Sequence, residues 1–102
     1  MNNKLIEKLN ELASKHKTIA EQLEDENIYQ DHALLKKLNQ EFAKIDPIIK
    51  KYTEYKLTVS SIEESKSLLN EKDKELKAIA EEDISANSSI KKSIESYLEN
   101  EL

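Results

Sequence analysis

No glycine occurs in the 102 residues of this chain, nor any cysteine or arginine, and proline occurs once, at Pro47. Each absence removes a class of function. Glycine reaches positive φ freely and lets a backbone close on a phosphate, so its absence argues against Rossmann and P-loop nucleotide sites and against folds built on tight hairpins. Without cysteine there is no disulfide, no thiolate nucleophile and no Cys-based zinc site, a usage compatible with a cytoplasmic protein. All 16 basic residues are lysine. The planar guanidinium fork that reads phosphate or guanine bidentately is therefore missing, and sequence-specific DNA or RNA readout is not expected. No apolar run approaches the roughly 18 residues of a membrane span, and the start Met1-Asn-Asn-Lys-Leu-Ile-Glu7 lacks a signal-peptide stretch.

Charged residues make up 36% and hydrophobic ones 37% of the chain, the balance of a long-helix or coiled-coil protein. The net charge of −5 favours solubility and gives no support to general nucleic-acid binding, so any RNA contact has to be local. A chain this short forms one domain with a modest core.

Apolar periodicity predicts three helices. The first, about residues 3–24, carries Leu5, Leu9, Leu12, His16, Ile19 and Leu23 at alternating intervals of four and three. The acidic run Glu24-Asp-Glu26 suits a helix C-terminus badly, and Asn27 is read as a turn residue standing in for glycine. The second, about 31–69 and capped by Asp31, carries Leu35, Leu38, Phe42, Ile45, Ile49, Tyr52, Tyr55, Val59, Ile62 and Leu69. Two successive intervals of three after Ile49 move its apolar stripe sideways, so the segment before it should cover its first half and the segment after it its second. Pro47 removes a donor from this helix interior, yet the stripe passes it without losing step, which predicts a kinked but continuous helix. Asn70 is placed in a left-handed cap. The third helix, about 74–100 and capped by Asp73, is expected to turn Leu76, Ile79, Ala80, Ile84, Ile90, Ile94, Tyr97 and Leu98 inward, with Ser85–Ser89 as a weak point. The expected fold is all-α: an elongated three-helix antiparallel module with one long, Pro-kinked central helix and coiled-coil-like packing.

Chemistry-bearing patterns are few. His16 lies on the inner line of the first helix with no His or Cys at i+3 or i+4, which reads as a partly buried, hydrogen-bonded imidazole rather than a ligand. His32 reads as exposed. Glu24, Asp25, Glu26 and Asp31 lack calcium-loop spacing and read as a solvated turn, so no metal is expected. Ser88 and Ser89 have no neighbouring base, Tyr52 and Tyr55 read as core aromatics, and no catalytic residue or cofactor site is assigned. The outward side of the second helix carries Lys36, Lys37, Lys44, Lys50 and Lys51, a basic ridge about 22 Å long. It reads as a solvated face or as a docking surface for RNA phosphate or an acidic protein.

Three stretches carry a family resemblance. They are Gln40-Glu-Phe-Ala-Lys-Ile-Asp-Pro-Ile-Ile-Lys-Lys-Tyr-Thr-Glu-Tyr-Lys56, Ile62-Glu-Glu-Ser-Lys-Ser-Leu-Leu69 and Leu76-Lys-Ala-Ile-Ala-Glu-Glu82. Together with Lys4-Leu-Ile-Glu-Lys-Leu-Asn-Glu-Leu12, they resemble the N-terminal domain of bacterial peptide-chain release factors of type 1. The type 2 factors share the domain, with a tryptophan-bearing connector absent here. The resemblance implies that the intact protein reads a stop codon on the ribosome and releases the polypeptide. It further implies that this domain contacts the stalk base protein and rRNA, with a link to the GTP-hydrolysing class II release factor. Neither the codon-reading Pro-x-Thr nor the Gly-Gly-Gln motif is present, so the chain reads as a non-enzymatic N-terminal piece of a longer protein, still in helical pattern at Leu102. The competing expectation is a stand-alone helical coiled-coil interaction or adaptor module.

Overall fold

The computed structural model describes all residues from Met1 to Leu102 and is all-α. Helix α1 spans Asn3–Glu24, a short 3-10 helix spans Glu26–Gln30, α2 spans His32–Leu68 and α3 spans Lys74–Glu101. No helix is long and apolar enough to cross a membrane. Each start is set by a side chain that satisfies an otherwise orphaned backbone N–H. The Asn2 carboxamide oxygen accepts from Leu5 N–H at 2.8 Å, Asp31 from Leu34 N–H at 3.1 Å and Asp73 from Glu75 N–H at 2.9 Å. Asp31 and Asp73 act as the sequence predicts.

The turns are made differently from the prediction. No residue has a positive φ, so neither Asn27 nor Asn70 takes a left-handed conformation. After α1, Asp25 is extended (φ −73°, ψ 121°), and its carboxylate accepts from Asn27 N–H at 3.0 Å, capping the 3-10 helix. After α2, tight bonds from Leu69 N–H to Lys66 O (3.2 Å) and Glu71 N–H to Leu68 O (3.1 Å) close the chain. Four-residue turns closed by a hydrogen bond to the carbonyl three residues back need no left-handed residue, which is how a chain without glycine reverses direction twice.

Two compact units are built on this scaffold, Met1–Lys50 and Lys51–Leu102. In the first, α1 lies against the early part of α2. Ile19, Leu38 and Ile45 form its centre, with Leu12, Leu23, Ile28, Phe42 and Ile49 packed around them. Leu5 and Leu9 are also buried, Leu9 completely. Full burial of a side chain of this size is worth about 1.5–3 kcal/mol, so a handful of such residues carries the unit.

In the second unit, α3 pairs with the rest of α2 across a seam that mixes small and polar residues with larger apolar ones. Thr58, Ile62 and Ser65 are buried on α2 and Ala80, Ile94 and Leu98 on α3, with Ile84, Asn87 and Lys91 half-buried in the same 4-3 rhythm. Thr58 is accommodated because its hydroxyl donates to Glu54 O at 2.8 Å. Ala80, Ile84, Ile94, Tyr97 and Leu98 are buried or half-buried as predicted for the inner face of α3, and three of the predicted residues are not. Leu76, Ile79 and Ile90 remain 42%, 54% and 44% exposed. Ile79 and Ile90 each stand one residue before a seam position, Ala80 and Lys91, and that rotation of about 100° puts them on its flank.

Helix α2 is continuous through Pro47, and α3 is continuous through Ser85–Ser89, where Ser89 Oγ donates back to Ser85 O at 3.4 Å. Pro47 is exposed, so the carbonyl of Ala43 that loses its helical donor lies on the outward side, within reach of water.

Candidate functional site

The best-connected polar group is Asp46, immediately before Pro47. One carboxylate oxygen lies 2.8 Å from His16 Nε2 on α1, and the other lies 3.0 Å from Lys50 Nζ one turn later. The His16 ring stacks on Phe42, centroids 4.7 Å apart at 21°. Both His16 and Asp46 are about one-fifth exposed. The hydrogen bond from His16 and then the one from Lys50 hold the Asp46 carboxyl below its usual 3.8, with burial opposing them. This arrangement joins α1 to α2, and it gives His16 the hydrogen-bonded, partly buried environment predicted for it.

The five ridge lysines fall into two groups. Lys36, Lys37 and Lys44 are exposed on the outward side of α2 and make no ion pair. Shallow grooves run beside them, one lined by His32, Lys36, Asn39 and Gln40 and one by Lys37, Gln40, Glu41 and Lys44. Glu41 sits between Lys37 and Lys44 on this face, so the ridge is not uniformly basic. Lys50 is engaged by Asp46, and Lys51, in the second unit, reaches Glu54 at 3.3 Å. What the free three can do is offer mobile point charges to an anionic surface.

Tyr52 is buried and Tyr55 half-buried, with rings 6.4 Å apart at 16°, and Lys56 Nζ lies 4.3 Å over the Tyr52 ring. Burial first raises both phenols above 10.0, helped by the charge of Tyr55 beside Tyr52 and of Glu95 beside Tyr55. They are core aromatics, not a stacking platform. Among the acids near the first turn, Asp25 and Asp31 are spent on helix caps, and no group of three His, Cys, Asp or Glu side chains is placed to hold a metal ion. The role of Asp46 was not evident in the sequence. Its only signal is position, beside the apolar line and one turn beyond Phe42.

The polar side chains of this helical domain cap helices, join α1 to α2 or stand free as lysines. The chain belongs to the PCRF domain family, which it matches over residues 12–102. It is 38% identical over 88 residues to peptide chain release factor 1 of Mycoplasma capricolum, an alignment covering 85% of this chain and 24% of that protein. To peptide chain release factor 1 of Clostridioides difficile it is 36% identical over 77 residues (74% and 22%), and to that of Chlorobaculum tepidum 32% over 80 residues (78% and 22%). The chain thus spans about a quarter of the length of these relatives. No solved structure matches it.

Proposed function

We propose that this chain is the N-terminal helical domain of a cytoplasmic translation termination factor, one that directs stop-codon-dependent release of the nascent polypeptide on the ribosome. The observation that carries this reading is the similarity to release factor 1 proteins across most of the chain. The domain itself contributes contact and no catalysis. Its single proline is followed by Ile48-Ile49 rather than completing Pro-x-Thr, and it has no glycine for Gly-Gly-Gln. Its partners are the ribosome, at the stalk base protein and rRNA, and the GTP-hydrolysing class II release factor. Lys36, Lys37 and Lys44 make the electrostatic contact. Lys50 and Lys51 are drawn away by Asp46 and Glu54 and contribute less.

The test is a chimaera in which this chain replaces the matching segment of the Mycoplasma capricolum factor. Stop-codon-dependent peptide release in a reconstituted system should stay near that of the unaltered factor. A folded chimaera that no longer binds the ribosome would overturn the assignment and favour a stand-alone adaptor.

A further inference from the structure

Four of the exposed apolar side chains of the second unit form a pattern. Leu57 and Leu68 on α2 are 65% and 37% exposed, and Ile79 and Ile90 on α3 are 54% and 44% exposed. Each pair is separated by three helical turns, about 16 Å. Each of the four directly precedes a residue of the seam: Thr58, Leu69, Ala80 and Lys91. One residue is a rotation of about 100° about the helix axis. Because α2 and α3 run in opposite directions, the same rotation carries both pairs to the same side of the hairpin. They therefore line one apolar strip beside the seam.

The charged side chains beside the strip that have no ion-pair or ring partner are acidic. Glu64 and Asp83 stand midway along its two edges, each again one residue before a seam position, Ser65 and Ile84. Glu75 and Glu82 are the i−4 and i+3 neighbours of Ile79. All four acids are exposed, and none takes part in the ion pairs Lys51–Glu54, Lys66–Glu63 or Lys91–Glu95. Of the nearby lysines, Lys66, Lys74 and Lys77 lie about 140° or more round their helices from Leu68 or Ile79. Lys56 and Lys91 lie about 100° round from Leu57 and Ile90, and they are engaged by the Tyr52 ring at 4.3 Å and by Glu95 at 3.9 Å.

We propose that this strip is a docking surface for a basic amphipathic helix. The partner's apolar side chains at i, i+4, i+7 and i+11 lie between the two pairs, and its lysines or arginines meet Glu64, Glu75, Glu82 and Asp83. A second copy of this chain is the wrong occupant, because self-association through this face sets these carboxylates against one another.

The probe is a synthetic helical peptide of about 18 residues with leucine at i, i+4, i+7 and i+11 and lysine at most other positions, titrated into the isotopically labelled chain. Methyl resonances of Leu57, Leu68, Ile79 and Ile90 should shift saturably while those of Ile19 and Ile45 stay fixed, and the affinity should fall as salt is raised. Paired reversal, Glu64→Lys with Asp83→Lys, should weaken binding roughly tenfold, and Ile79→Gln with Ile90→Gln should remove it. These side chains are exposed, so the variants keep their helical circular dichroism. Three results would overturn the proposal: shifts centred elsewhere, equal binding of a peptide with the same composition but scattered leucines, or self-association that the Ile79→Gln, Ile90→Gln variant abolishes.

Discussion

Asp46 shows how much one residue can organise in a chain with so few special residues. Its carboxylate receives His16 from α1 and Lys50 from its own helix, while Phe42 backs the imidazole. Replacing it with alanine leaves His16 Nε2 without a partner in a partly buried setting, which should destabilise the chain by about 1–2 kcal/mol in urea unfolding, most of it from the His16 bond. The Lys50 half adds little, because that ammonium is largely in water. The pH dependence has a definite sign. A carboxyl whose folded pKa lies below its unfolded 3.8 stabilises the fold fully above that value and loses this contribution as pH falls through the lower folded value. Unfolding free energies measured from pH 5 downward should therefore drop more steeply for the native chain than for Asp46→Ala, and the two should converge at the acid end. Parallel curves would mean that the bond is not formed in solution. The sequence placed His16 in the interior and gave it a hydrogen bond, but Asp46 is 30 residues away, and a contact at that distance requires the register of two helices to be known.

At the scale of elements, Pro47 is the informative case. It breaks the hydrogen-bond ladder of α2, yet the helix is continuous, because apolar burial on either side, at Ile45 and Ile49, fixes the phase that the proline would otherwise disturb. Pro47 is exposed and buries nothing of its own. Pro47→Ala should restore a donor to the Ala43 carbonyl and raise stability by about 1–3 kcal/mol, less the fraction returned by the more flexible unfolded chain. If the stability falls instead, the backbone geometry fixed by the proline is what lets Phe42 and Ile49 reach the α1 side. The apolar rhythm made the three helices, their Asp31 and Asp73 caps and the change of neighbour along α2 legible in advance. Two things were not, or only in part. The turns were expected to use left-handed asparagines, because glycine-free reversals through 3-10 geometry leave no compositional mark. The inner face of α3 was legible at Ala80, Ile84, Ile94 and Leu98, but it was drawn too wide: Leu76, Ile79 and Ile90 were included for their hydrophobicity, while the half-buried polar Asn87 and Lys91 that share the seam were not.

At the scale of the whole molecule, the proposed function asks an acidic chain to approach an anionic ribosome. The net charge of −5 repels it at long range, so binding depends on where the positive charge is concentrated. Lys36, Lys37 and Lys44 stand free on α2, while other exposed lysines, such as Lys8, Lys15 and Lys17, lie on α1. Two variants with the same charge change separate the local effect from the global one. Reversing Lys36, Lys37 and Lys44 to Glu in the chimaeric factor should weaken ribosome binding by at least roughly tenfold and flatten its dependence on salt, because each lost phosphate contact removes released counterions. Reversing Lys8, Lys15 and Lys17 should cost much less and leave the salt slope nearly unchanged. Both triads are exposed, so the thermal stability of the two variants should differ little. Equal loss in both would assign the effect to net charge alone and remove the α2 face from the contact. A flattened slope confined to the α2 variant would point to phosphate, and a weakened affinity with an unchanged slope would point to a protein surface on the ribosome instead.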